Sequence, residues 1–396
     1  MSLLNLSKFT GHAKTFFAWQ IELTTRCPLK CRMCIREGAG RWHRKDMLLD
    51  DFKNISGYFS KAENIVPQGW GEPLLYRNLI DAVRIVKEKG ASAGFVTSGS
   101  GLERELISEL INTGTDFIGF SLAGATAKTH NSIRMNSDFE LLLENIRFLN
   151  AVKKEKRLDK PRLHIVYLML KDNITDVPAL VELAKHTGIN DIILTNLIHV
   201  SNEWQEGQRV FRCQHPHPDP PPSRGREELE TTITSPSPCG RGQGGGGNEA
   251  YEEILQVAEA KAKKLKINLR QPSLSPVDVP VCEENPLRNL YISVDGEVSP
   301  CVYLYPPVPS PFKRIFCGNK FETEKASFGN IFREPFDKVW SNHEYAEFRE
   351  RFMLRKRRFE EMYSPILNME RLRRLETTPL PEPPEQCRTC HKMLGV

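Results

Sequence analysis

The 396-residue chain has no apolar run long enough to cross a bilayer, which excludes a spanning helix. Its first residues, "MSLLNLSKFTGHAKTFF", lack an apolar core followed by a small-residue cleavage site, so no secretory leader is expected. A large charge excess is also missing. The formal net charge of +5 is mild for this length and does not point to nucleic acid. The basic stretch "RERFMLRKRRF" (Arg349 to Phe359) is read as a solvated helix face. No internal repeat is apparent. A cytoplasmic protein without a membrane or nucleic-acid partner is the expectation. With 39% hydrophobic residues, the chain can bury one large core, or one of roughly 200–250 residues beside a smaller unit.

Cysteine, by contrast, is abundant and grouped. Ten cysteines in a reducing compartment are not expected to pair as disulfides, and close spacing points to metal or redox chemistry. Cys27, Cys31 and Cys34 form one set, and Cys282, Cys301, Cys387 and Cys390 a second. Cys213, Cys239 and Cys317 are left over. Cys213 and Cys239 are poor ligand candidates, Cys317 is a spare ligand or a structural residue, and His391 beside Cys390 is not expected to ligate.

Short apolar strands alternate with amphipathic helices through the first half. "FFAWQIELTT", "NIVPQGW", "SAGFVTS", "DFIGFSL", "RLHIVYLML" and "DIILTNL" are the strands. "NLIDAVRIVKEKG", "GLERELISELINTG", "FELLLENIRFLNAVKKEK" and "VPALVELAKHTG" are the intervening helices, three of them stopping at glycine. Six such units imply an α/β protein with a parallel sheet, either doubly wound or a full or partial (β/α) barrel. The polar motifs discussed below sit at C-terminal strand ends, where barrels collect their chemistry, and this favours a partial (β/α)6 TIM-like barrel. The core is assigned to residues 16–200. From 213 to 248, fourteen of thirty-six residues are Pro or Gly, and this segment is expected to be a disordered insertion. Residues 249–279 supply a last helix and strand of the core. Residues 280–396 form a small C-terminal unit of β-hairpin plus helix, with the hairpin turning at Asp295-Gly296 as a two-residue turn.

In the first set, C-x3-C-x2-C delivers three thiolates from one loop at the end of strand one. Structural zinc wants four ligands, usually in two pairs, and ordinary [4Fe–4S] carriers also use four cysteines. Three ligands on a four-iron cube leave one iron for something other than protein.

This motif after strand one resembles the radical S-adenosylmethionine (radical SAM) superfamily. The resemblance implies a [4Fe–4S] cluster on Cys27, Cys31 and Cys34 whose open iron chelates SAM. Reduction then releases methionine and a 5′-deoxyadenosyl radical, while the protein binds, orients and excludes water. "QGWGEPLL" resembles the family's G-G-E-P motif with Trp70 at the first paired glycine, so Gly71, Glu72 and Pro73 are implied to face the SAM ammonium. "TSGSG" stands where the family has T-N-G. "SLAGATAKTHNSIR" resembles its S-L-D-G…H-x-x-I-R stretch, implying that Ser121 and Arg134 hold the SAM carboxylate, with Ala123 replacing the usual Asp. Asn173 is implied to reach the ribose. No catalytic residue is assigned.

The second set, C-x13-G-x4-C from Cys282 through Gly296 to Cys301 and then C-x2-C at Cys387 and Cys390, resembles a shortened SPASM extension. It implies one auxiliary [4Fe–4S] cluster, while a zinc ion on the same four thiolates stays open. "TNLIHVSNEW", "SPCVYLYPPV" and "FGNIFREPFDKVW" loosely resemble maturases of tungsten-containing oxidoreductases. The implied function is a radical SAM oxidoreductase or maturase acting on a peptide, protein or enzyme cofactor, with an electron donor such as ferredoxin or flavodoxin. The alternatives are a small-molecule dehydrogenase or epimerase, or an iron–sulfur electron carrier or zinc scaffold without SAM chemistry.

Overall fold

The computed structural model describes residues 14–37, 39–213, 245–362 and 379–396. The expected insertion and Cys239 lie almost wholly outside these residues. Among them, no helix is long and apolar enough to cross a membrane.

The strands, in chain order, are β1 (Phe16–Ile21), β2 (Lys30–Cys31), β3 (Ala62–Val66), β4 (Ser92–Thr97), β5 (Phe117–Leu122), β6 (Arg134–Met135), β7 (Arg162–Met169), β8 (Asp191–Asn196), β9 (Asn268–Arg270), β10 (Asn289–Ile292), β11 (Val298–Ser299), β12 (Phe312–Phe316) and β13 (Asn319–Thr323). Nine of them form one sheet, ordered β11-β10-β1-β3-β4-β5-β7-β8-β9. Every neighbouring pair from β10 to β9 is parallel. The six predicted strands are its centre, and β9 adds to the outer edge of β8. The sheet does not close, because β1 pairs with β10 and β3.

The helices are α1 (Leu49–Ile55), α2 (Leu79–Glu88), α3 (Arg104–Asn112), α4 (Ala127–Ile133), α5 (Phe139–Glu155), α6 (Val177–Thr187), α7 (Glu203–Gly207), α8 (Gly245–Leu265), α9 (Phe336–Trp340) and α10 (His343–Met362). Asp138 caps α5 by accepting from the Leu141 N–H at 3.0 Å. The three glycines that end helical patterns, Gly90, Gly114 and Gly188, all take the left-handed conformation a helix stop requires.

The C-terminal segment is not a separate layer. β10 hydrogen-bonds along the free edge of β1. Phe336 and Trp340 of α9 pack on Phe16 and Trp19 of β1, with ring centroids 4.6–5.5 Å apart. The hairpin turn is wider than the sequence predicts. The Gly296 N–H donates to the Ser293 carbonyl and the Ser293 N–H to the Glu297 carbonyl, each at 2.9 Å. The loop is therefore Val294-Asp295-Gly296, with Gly296 at φ +84 supplying the left-handed residue of a bulged turn.

Two other expectations fail. The basic stretch on α10 is not all solvated: Arg355 is 1% exposed and donates to Asp278 and to the Val279 and Pro381 carbonyls. Cys213 and Cys317 are not left over, because they are joined as a disulfide 104 residues apart in sequence.

Candidate functional site

The first cysteine set occupies the loop leaving the C-terminal end of β1. Arg26 fixes its start: the guanidinium pairs two-pronged with Asp46 at 2.8 and 2.6 Å and reaches the Leu75 carbonyl at 2.7 Å. Arg36 folds the loop on itself by donating to the carbonyls of Cys27 at 3.1 Å and Leu29 at 2.8 Å. Gln205 of α7 clamps the far side, its amide donating to the carbonyls of Arg32 at 3.3 Å and Cys34 at 3.2 Å. Burial raises the Cys27 thiol and pushes Cys34 up to about 12, and the charges of the neighbouring cysteines add to both shifts. Such thiols ionise readily only against a cationic centre, which is the chemistry of a metal-ligand set.

Gly71-Glu72-Pro73 lies directly against this loop. A Cβ on Gly71 would stand 2.1 Å from the Thr24 carbonyl oxygen and 2.8 Å from that of Arg26. The Glu72 N–H donates to the Arg26 carbonyl at 2.8 Å. The Glu72 carboxylate is buried and accepts from the Thr97 hydroxyl at 2.5 Å, the Ser98 hydroxyl at 2.6 Å and the Ser98 N–H at 2.8 Å. It ties the end of β3 to the end of β4, and burial raises its pKa against those hydrogen bonds.

Ser121, half-buried, is the penultimate residue of β5. Arg134 enters the site through β6, which pairs with the cysteine loop at β2, and points a terminal nitrogen at Cys31 Sγ from 3.8 Å. Its Nε is buried without a partner. Asn173 is fully buried. Its amide nitrogen donates to the carbonyls of Ala123 at 3.1 Å and Leu168 at 2.9 Å, and its oxygen accepts from the Leu170 N–H at 2.7 Å. Its polar atoms thus join the ends of β5 and β7.

The second set draws together segments far apart in sequence. Arg314, buried on β12, donates to the carbonyls of Tyr303 at 3.3 Å and Gln386 at 3.1 Å, linking the Cys301 turn to the Cys387 turn. Burial pushes Cys282 up to about 12 and raises Cys301 and Cys387 well above the usual thiol range, with charges from the other members of the set contributing. Among the described residues, no three of the seven sulfurs in the two sets lie within 4.8 Å of one another.

Between the two sets lies Trp70. Its N–H donates to Glu22 Oε1 at 2.7 Å and its indole N–H to the Val302 carbonyl at 3.2 Å, one residue past Cys301. The ring stands edge-on to His199 and Tyr303. Beside it opens a cavity of about 610 Å³, lined by Glu22, Trp42, His43, Asp295, Tyr305 and Lys325 among others. Trp42 and Trp70 pack in one apolar group with Cys34 and Val308, so the cavity wall adjoins the first cysteine loop.

Two residues here escaped the sequence reading. Glu22, one residue past β1, is buried, and its desolvation pushes the carboxyl up to about 7 against hydrogen bonds from the Trp70 and Val294 backbones. His199 is buried with both ring nitrogens unpartnered, and burial holds it down to about 3. Trp70 registers in the sequence only as a departure from a glycine. Position at strand ends was the available signal for Glu22 and His199; neither carries a motif of its own.

Comparison with known proteins adds six findings. The radical SAM superfamily model matches residues 21–184, and the SPASM iron–sulfur cluster-binding domain matches 282–391. The chain is 24% identical over 336 residues to the tungsten-containing aldehyde ferredoxin oxidoreductase cofactor-modifying protein of Pyrococcus furiosus, covering 83% of this chain and 82% of the relative. It is 26% identical over 183 residues to the PqqA peptide cyclase of Rhodopseudomonas palustris, 45% of this chain and 47% of that protein. Among solved structures, it matches Streptococcus suis SuiB bound to precursor peptide SuiA with a TM-score of 0.54 at 13% identity, over 85% of this chain and 67% of that one. Native anSMEcpe with bound AdoMet gives 0.54 at 13% identity, over 85% and 84%. At such identities these two structures establish the fold, a TIM-like partial barrel.

Proposed function

From a chain that carries a radical SAM domain and a SPASM domain, with SAM, its [4Fe–4S] cluster and an auxiliary iron–sulfur cluster as cofactors, we propose an oxidoreductase-type maturase. It modifies a peptide, a protein or an enzyme cofactor. In this reading Cys27, Cys31 and Cys34 hold the SAM-binding cluster, and Cys282, Cys301, Cys387 and Cys390 the auxiliary [4Fe–4S] cluster. When bound and reduced, the first group supplies the electron that splits SAM into methionine and a hydrogen-abstracting 5′-deoxyadenosyl group.

The chain's own residues bind and orient. The backbone of Gly71, Glu72 and Pro73 receives the SAM ammonium. Ser121 and Arg134 hold its carboxylate, Arg134 as a forked donor. Asn173 shapes the ribose end by fixing the ends of β5 and β7. The substrate's reacting part enters the cavity between Trp42 and the β10–β11 turn, where Glu22 is poised to take a proton near neutrality.

The observation that supports this most is Trp70. It spans from the GEP segment to the turn after Cys301, and it shares an apolar group with Cys34 and with Trp42 of the cavity wall. A cavity of about 610 Å³ is the size of a side chain with its neighbours or of a small cofactor fragment. The cofactor-modifying and peptide-cyclising relatives support a macromolecular or cofactor substrate. A ferredoxin or flavodoxin as electron donor and a cytoplasmic setting complete the proposal.

The test is anaerobic 5′-deoxyadenosine release from SAM by reconstituted wild type and by Cys31→Ala. Release that requires Cys31 is expected. Equal release from both, or none from a wild type holding about eight irons per chain, overturns the assignment. A small-molecule substrate is separated by the mass of the product: modification of a peptide or a cofactor is expected, whereas turnover of a free metabolite favours a dehydrogenase or epimerase.

A further inference from the structure

Outside both cysteine sets, one more group of donors converges. The sulfurs of Cys213 and Cys317 and a ring nitrogen of His391 all lie within 4.8 Å of one another, and this is the one group of three or more such donors so close among the described residues. We propose that Cys213, Cys317 and His391 form a separate metal site, which takes one zinc-class divalent ion in the reduced protein, and that the Cys213–Cys317 disulfide is its oxidised, metal-free state.

The histidine carries the case. Its Nδ1 lies 3.0 Å from the Ile198 carbonyl, which can only accept, so Nδ1 bears the proton and Nε2 keeps the lone pair. Nε2 is buried and has no partner, an arrangement that otherwise forfeits a hydrogen bond. A carbonyl on one ring nitrogen, with the other left for the ion, is how a ligating histidine is oriented. Phe211 and Phe316 flank the ring at 5.2 and 5.0 Å, so it cannot swing to another partner without disturbing both.

The sulfurs arrive from independently fixed segments. Cys213 follows Arg212, whose N–H donates to the Leu274 carbonyl at 2.9 Å. Cys317 sits at φ +48 in the turn between β12 and β13. Both are half-buried, so neither is sealed in the core. Two thiolates and one imidazole suit zinc chemically, with water as a fourth ligand. A disulfide persists poorly in a reducing compartment, where free thiolates beside a prepared imidazole bind metal instead.

The chemistry balances. Two electrons and two protons convert the disulfide to two thiols, and the low-potential donor that reduces the clusters supplies the electrons as two one-electron equivalents. Ion binding then displaces both thiol protons. The ion would join the segment that follows α7, the β12–β13 hairpin and the turn bearing Cys390, so occupancy would report the redox state next to the second cysteine set.

The full-length protein, reconstituted with iron and sulfide and reduced with dithionite, is incubated with zinc and desalted. Wild type and Cys213→Ser are compared by elemental analysis, alkylation mass spectrometry and zinc-edge X-ray absorption. Expected are about one zinc per wild-type chain, two Zn–S distances near about 2.3 Å with nitrogen near about 2.0 Å, and a loss of zinc of about tenfold or more in Cys213→Ser at unchanged iron. Three results overturn the proposal: a disulfide that survives reduction, zinc retained by Cys213→Ser, or zinc bound through four sulfurs at the expense of iron.

Discussion

Glu22 shows how a single residue acquires chemistry from residues remote in sequence. Alone it is a carboxylate following a strand. Trp70 and the Val294 turn bury it, and desolvation outweighs the hydrogen bonds they donate, so it keeps its proton to about 7 instead of 4.5. The sign of the consequence follows. The folded state holds a proton that the unfolded chain has released, so stability falls as pH rises from about 4.5 to about 7 and stays lowered above that. The full difference is about 3 kcal/mol. Glu22→Gln should flatten this slope, read as the denaturant midpoint of each protein at pH 5 and pH 8. A slope equal to wild type would show that Glu22 ionises normally. Arg355 and Cys213 make the same point from the other side. Composition marked one as solvated and the other as unpaired, yet one lies inside an ion pair and the other in a disulfide.

At the scale of elements, the cysteine loop is a cast of its neighbours. Two carbonyls of its lead-in, Thr24 and Arg26, stand where a side chain at position 71 would go. This makes a glycine of the GEP segment a condition for the position of Cys27. Gly71→Ala must push the loop away from β3, and iron content should drop by about four atoms per chain as the first cluster is lost. Gly57→Ala, where a Cβ meets nothing within 4 Å, should leave iron unchanged and serves as control. Full iron in Gly71→Ala would show that the contact yields without effect. The strand and helix alternation that frames this loop was legible because burial on one face writes a period into the sequence. The hairpin β12–β13 was not, since β12 is buried at four of its five positions and β13 at one, which writes no alternation, and the two-residue pair β2–β6 is too short to write one.

For the whole molecule, the pairing of β1 with β10 decides how the two cysteine sets relate. The tail covers the edge of the sheet and caps Phe16 and Trp19 with α9. Exposing either side chain costs about 1.5–3 kcal/mol, and an uncovered parallel strand edge invites association. A chain ending at residue 279 should therefore aggregate or lose its cooperative thermal transition, while the full chain melts as one unit. A soluble, cooperatively melting fragment would show that the core stands without its tail.

The sequence by itself determined the local chemistry: six parallel strands, three thiolates on one loop, four more in the tail, and a glycine-containing turn between them. These are properties of spacing and periodicity, which neighbouring residues impose on each other. Tertiary structure alone decided what faces what. The tail joins the barrel as a strand, and Trp70 spans from one cysteine set to the other. Glu22 becomes a near-neutral acid beside a cavity, and Cys213, Cys317 and His391 meet at one point. Burial and convergence depend on contacts between segments tens to hundreds of residues apart, and no local pattern records them.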